Sequence, residues 1–128
     1  MKLSYLDTSA AMKLVVAEPE SAALVEGLSA DRRLIASWLL HAEMHCAAGR
    51  HPDALAIGDV QDVLNALNLV DLTRGDMIVA GTLASLRSND AIHLAVAIRL
   101  GVDEMITYDG ELTEAARTAG LTVFAPSP

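Results

Sequence analysis

Basic residues are scarce in this chain: nine Lys and Arg stand against seventeen Asp and Glu, the formal charge is −8, and no lysine follows Lys13. That balance excludes a broad phosphate-binding surface of the kind that gives tight, non-specific nucleic-acid affinity. The single cysteine, Cys46, excludes an internal disulfide framework and suits a reducing compartment, so a cytoplasmic location is expected. No apolar run approaches the ~20 residues a bilayer-spanning helix needs, and no membrane association is expected. Lys2 is the only early basic residue and Asp7 interrupts the first apolar stretch, a pattern unlike a signal peptide. Aromatics number only four, and neither repeats nor low-complexity linkers occur.

What is present is aliphatic. Just over half of the 128 residues are apolar, mostly Ala, Leu, Val and Ile, the composition of packed helices over a sheet, and the length suits one domain spanning residues 1–128. Short apolar runs alternate with longer helical patterns, which predicts an α/β fold: a three-layer α/β/α domain with a mainly parallel five-stranded sheet. The strands are expected at Lys2–Leu6, Arg33–Ala36, Leu69–Leu72, Glu104–Tyr108 and Leu121–Ala125. Helices are expected over Ser9–Ala17 from a serine cap, Pro19–Leu28 with proline in the first turn, and Ser37–Ala48 ending at Gly49. One or two more should fill His51–Asn68, followed by Arg74–Leu86, Ser88–Leu100 stopping at Gly101, and Gly110–Ala119 stopping at Gly120.

Four acids in four separate contexts suggest a shared site for Mg²⁺ or Mn²⁺: Asp7 in YLDTSA, Glu43 in LLHAEMH, Asp90 in RSNDAIHLA and Asp109 in ITYDGEL. Hard divalent cations take oxygen ligands, and carboxylates from distant segments suit them. Asp7 and Asp109 each follow an expected strand, at the carboxyl end where ligands of open α/β sheets collect. Each also has an ordinary explanation as a helix cap, although Thr8 and Ser9 are able to cap the helix after Asp7. Glu43 is flanked at helical spacing by Leu39, Leu40, Cys46 and Ala47, so its charge points along an apolar face and calls for a partner or a metal. Asp90 lies in a first helical turn, where the dipole favours a negative charge.

These segments resemble the PIN-domain ribonucleases, and among them the VapC-type toxins of bacterial toxin–antitoxin pairs. The resemblance rests on YLDTSAAMKL, RSNDAIHLAVA and ITYDGELTEAA followed by GLTVFAP, and is only generic from Asp53 to Arg87. It implies that Asp7, Glu43, Asp90 and Asp109 form the family's acidic tetrad, Glu43 by its place in the third helix, with Thr8 or Ser9 as hydroxyl support and Thr107 behind them. It further implies metal-dependent endonucleolytic cleavage of single-stranded or looped RNA leaving 5′-phosphate and 3′-hydroxyl ends. Inhibition by a cognate VapB-type antitoxin and a homodimer formed through helices of the N-terminal half belong to the same implication.

Other residues carry weaker signals. His41 and His45, four apart on one helical face, have the spacing of a zinc or nickel pair, but Glu43 sits about 200° away from them and bare helix surface explains them as well. His93 is expected to pack or hydrogen-bond near the start of the Asp90 helix. Lys13, Arg32, Arg33, Arg74 and Arg87 are candidate phosphate contacts, Arg87 foremost by its nearness to Asp90. Two other classes compete. A phosphate-accepting receiver domain lacks its late lysine and early acidic pair here, and a haloacid-dehalogenase phosphatase lacks its second Asp after Asp7. A catalytically inactive PIN-like interaction module would keep the fold without the chemistry.

Overall fold

The computed structural model describes residues 1–29 and 31–128 and contains a five-stranded sheet in the order β3-β2-β1-β4-β5, every pairing parallel. Along the chain run β1 (Lys2–Leu6), α1 (Thr8–Val15), α2 (Ser21–Leu28), β2 (Arg32–Ser37), α3 (Trp38–Arg50) and α4 (Ile57–Asn65). They are followed by β3 (Asn68–Val70), α5 (Arg74–Ala80), α6 (Ser88–Leu100), β4 (Glu104–Ile106), α7 (Gly110–Thr118) and β5 (Thr122–Phe124). Strand side chains alternate between faces, and the two cores follow that alternation. Leu6, Ala36 and Ile106 face one way, onto Ala10, Ala11, Leu24, Leu40, Met44 and Val60 of α1 to α4. Tyr5, Ile35 and Met105 face the other way, onto Leu94, Val96, Ala97, Leu112 and Ala116 of α6 and α7. The three-layer expectation holds, and the sheet is wholly parallel.

Every expected strand is present, and the helix boundaries moved for local reasons. α1 starts at Thr8, because Asp7 rather than Ser9 caps it, accepting from Ala10 N. α2 starts at Ser21, with Pro19 ahead of the helix. α3 does not stop at Gly49; it runs to Arg50 and ends where Pro52 disfavours helical backbone at His51, which adopts φ −133°, ψ 60°. Within His51–Asn68 a turn closes from His51 O to Ala54 N and Leu55 N, and only Ile57–Asn65 is helical. α5 ends at Ala80, six residues before the expected Leu86, as the chain turns through Gly81 and Thr82. α6 matches Ser88–Leu100 and stops at Gly101, whose φ of +63° is the left-handed cap that glycine adopts freely.

Candidate functional site

β1 and β4 are neighbours in the sheet although distant in sequence, with β2 and β3 on one side and β5 on the other. The crevice at their carboxyl ends is therefore the point where strand order reverses, the usual ligand position of an open α/β sheet. Asp7 leaves β1 there and is 1% exposed. Thr107 Oγ1 donates to its Oδ2 at 2.6 Å, and Ser9 Oγ (2.8 Å) and Ala10 N (3.0 Å) donate to its Oδ1. The same two hydroxyls accept from the β4 loop, Ser9 Oγ from Tyr108 N and Thr107 Oγ1 from Asp109 N. Two hydroxyls thus tie the ends of both strands to one carboxylate. Burial pushes the Asp7 carboxyl above the usual carboxylate range, against the pull of those donors.

Glu43 reaches the crevice from α3. Its Oε1 accepts from Thr8 Oγ1 at 2.8 Å and lies 2.6 Å from His93 Nε2, while Asn89 Nδ2 donates to Oε2 at 3.4 Å. Burial pulls this carboxyl upward, but the hydrogen bonds, His93 foremost, outweigh it and hold Glu43 below the usual range. His93 is fully buried, and its Nδ1 lies 2.7 Å from the Tyr5 hydroxyl.

Asp90 stands in the first turn of α6, and Asp109 caps α7 by accepting from Leu112 N at 2.8 Å. The Asp90 carboxylate has no side-chain hydrogen-bond partner among the described residues. Burial raises it, and the charges of Asp109, Asp7 and Glu43 raise it further, so Asp90 lies within electrostatic reach of the other three acids. Half-buried like charges with one carboxylate left unpartnered have the chemistry of an oxygen donor set that a cation would relieve. Among the described residues, however, no three His, Cys, Asp or Glu side chains stand close enough to hold one ion directly. Mg²⁺ keeps several of its waters and takes only one or two carboxylates directly. A donor set that engages it partly through water therefore fits these residues.

The other candidates separate. Lys13 is paired with Glu18 and Glu20, and Arg32 with Glu104 and the Gly27 carbonyl, so neither is free for phosphate. Arg87 caps α6, exposed beside Asp90. Arg50 is a cation that sequence reasoning missed: with Thr8, Met12, Glu43, Cys46 and Asn89 it lines a groove of about 470 Å³. Its position two helical turns after Glu43, on the same face, was the available signal. The His41 and His45 rings stack at 4.0 Å, and His45 Nδ1 bonds the His41 carbonyl; no third metal-binding side chain joins them among the described residues.

Comparison with known proteins agrees with the fold. The family model described as PIN domain matches residues 4–118. The chain is 41% identical to Ribonuclease VapC46 of Mycobacterium tuberculosis over 99% of this chain and 100% of that protein. Among solved structures it resembles VapBC2 from Rickettsia felis bound to a DNA fragment from their promoter, with TM-score 0.71 and 14% identity over 98% of this chain and 99% of that one. It also resembles Mycobacterium tuberculosis VapC20, a Sarcin-Ricin loop cleaving toxin, with TM-score 0.70 and 16% identity over 88% and 94% of the two chains. The chain belongs to the PIN-domain family, and within it groups with the proteins named ribonuclease VapC.

Proposed function

We propose that this protein is a divalent-metal-dependent endoribonuclease, the toxin of a toxin–antitoxin pair, with Asp7, Glu43, Asp90 and Asp109 as its acidic site. What supports the reading is that Asp7 and Asp109 follow β1 and β4 at the carboxyl-end crevice, while Asp90, without a side-chain partner among the described residues, is raised by the charges of Asp109, Asp7 and Glu43. The names of the relatives support the ribonuclease and the antitoxin parts of it.

Asp7, Glu43, Asp90 and Asp109 would hold Mg²⁺ or Mn²⁺ at the mouth of the crevice, Glu43 from its α3 side. When bound, such an ion stabilises charge on the phosphoryl oxygens and makes a water more acidic. The chain's own part is placement. Thr107 and Ser9 lock Asp7, Asp90 offers free oxygens, and exposed Arg87 and Arg50 flank the crevice where backbone phosphates would approach. Ser9 and Thr8 spend their protons on carboxylates, so neither is poised as a nucleophile; the family resemblance supports attack by water on phosphorus with departure of the 3′-oxygen, leaving a 5′-phosphate and a 3′-hydroxyl. Unpaired RNA suits the site, since splayed nucleotides enter a crevice that a duplex does not. A VapB-type antitoxin that covers the crevice, a homodimer and a cytoplasmic location complete the reading. No helix among the described residues is long and apolar enough to cross a membrane.

The test is incubation of antitoxin-free protein with total RNA in Mg²⁺ or Mn²⁺, with EDTA and Asp90→Asn controls, followed by sequencing of 5′ ends. Discrete cuts lost in both controls are expected. Folded protein that cuts nothing under either metal would overturn the general nuclease reading in favour of a very narrow substrate or an inactive interaction module.

A further inference from the structure

Glu43 belongs to the helical layer on one side of the sheet, since Leu40, Met44 and Ala48 of α3 lie in the core that Leu6 faces. His93 belongs to the other layer, where its neighbours Leu94 and Val96 pack with Tyr5. The two side chains nevertheless meet at 2.6 Å, around the carboxyl end of the sheet. Three hydrogen-bonding groups lie in series there: the Tyr5 hydroxyl, His93 Nδ1 at 2.7 Å, and His93 Nε2 against Glu43 Oε1. Tyr5 and His93 are both 0% exposed, so no bulk water substitutes for either partner.

Proton bookkeeping orders this series. A glutamate is ordinarily ionised at neutral pH and an ionised carboxylate only accepts, so the hydrogen in the 2.6 Å contact with His93 sits on Nε2. The Tyr5 hydroxyl, 2.7 Å from Nδ1, is then placed to donate to that nitrogen. An ordinary phenol is protonated at neutral pH, so that hydroxyl has a hydrogen to give. Asp90 and His93 are three apart on α6, so one helix sets an acid in the crevice and a hydrogen-bond donor on the acid opposite.

We propose that His93, held in its Nε2–H form by the Tyr5 hydroxyl, is a positioning residue that fixes the Glu43 carboxylate at the crevice and ties the two helical layers together there. Its consequence for metal binding rests on the nuclease reading above; its hydrogen-bond order does not. Carboxylates that ligate a metal are themselves oriented by outer hydrogen-bond partners, and loss of such a partner typically costs about 10–100-fold in metal affinity or activity.

The first measurement is the two-bond ¹H–¹⁵N correlation of the His93 ring in metal-free, full-length protein at neutral pH. A proton on Nε2 and none on Nδ1 is expected, with the Nδ1 resonance shifting in Tyr5→Phe. A protonated Nδ1, in a neutral or a charged ring, overturns the proposal whether or not any metal binds. The second measurement compares Mn²⁺ affinity by calorimetry in His93→Gln and His93→Asn. The glutamine amide nitrogen falls near the place of Nε2 and keeps a donor on Glu43, whereas that of asparagine falls near Nδ1 and does not reach. Affinity within about threefold of wild type for His93→Gln, against a loss of roughly 10–100-fold for folded His93→Asn, supports the proposal. Equal losses in the two variants, or unchanged affinity in His93→Asn, overturn it. Wild-type protein that binds no Mn²⁺ overturns the nuclease reading instead, and the ring correlation then decides the His93 assignment alone.

Discussion

Asp7 and Asp90 share one crevice in opposite surroundings: Asp7 accepts from three donors, while Asp90 accepts from no side chain among the described residues and feels three other acids. Asp90→Asn therefore separates function from stability. RNA cleavage should fall by more than the roughly 10–100-fold typical of losing an outer partner of a metal ligand. In EDTA the same variant should melt a few degrees higher than wild type by calorimetry, because it removes like-charge repulsion from a half-buried group. Thr107→Val tests the opposite surroundings. It deletes the 2.6 Å donor to a buried carboxylate with little change of shape and leaves that oxygen only the shared Ser9 hydroxyl at 3.0 Å, which should cost about 1–3 kcal/mol in urea denaturation. Cleavage should fall with it. The Asp7 and Thr107 positions were legible in their motifs; the partners of Glu43 were not, because a side chain fifty residues away supplies the nearest.

At the scale of elements, glycine reads correctly only where backbone geometry requires it. Gly101 has the positive φ that ends α6, whereas Gly49 is an ordinary helical residue with open space where a Cβ would sit. Gly49→Ala should therefore stabilise the protein by roughly 0.5–1 kcal/mol, read as a higher urea midpoint with unchanged slope. Gly27 in α2 is the contrast. A Cβ there would stand 2.8 Å from Phe124 Cζ, so Gly27→Ala should lower the midpoint, by about 1–3 kcal/mol, as an overpacked site does. Strand positions were legible because short apolar runs between polar turns specify them locally. Helix ends were less so: the stop of α3 depends on Pro52, and the start of α1 on which of Asp7, Thr8 and Ser9 wins the cap.

Over the whole molecule the buried carboxylates divide by sign, and stability should follow pH in two limbs. Glu104, 3% exposed at the amino end of β4, is drawn up by burial but held lower overall by Arg32, Ser4 and Lys2. Asp76 is likewise drawn up by burial but held low by Arg99 and Thr73. A lowered folded-state pKa contributes stability above the unfolded value, about 4 for such groups, that disappears as pH falls through the folded value. Asp7 and Asp90 are raised and act in reverse: their cost is present at neutral pH and is relieved as pH falls through their folded values. Metal-free protein should thus gain stability on mild acidification from pH 7 and lose it below about pH 4. Urea midpoints from pH 7 to 3 check this, and Glu104→Gln should flatten the acid limb while leaving the first gain intact.

The linear chain determined the alternation of strands and helices and the two-faced sheet, and it offered the four acids as candidates, because hydrophobic period, caps and short motifs act over a few residues. It did not determine which termini meet. The β1/β4 adjacency, the Thr107 bond to Asp7 and the contact of His93 with Glu43 join residues 100, 100 and 50 apart in sequence. Only the parallel sheet, which brings the carboxyl ends of β1 and β4 side by side while its two helical layers close over that edge, decides them.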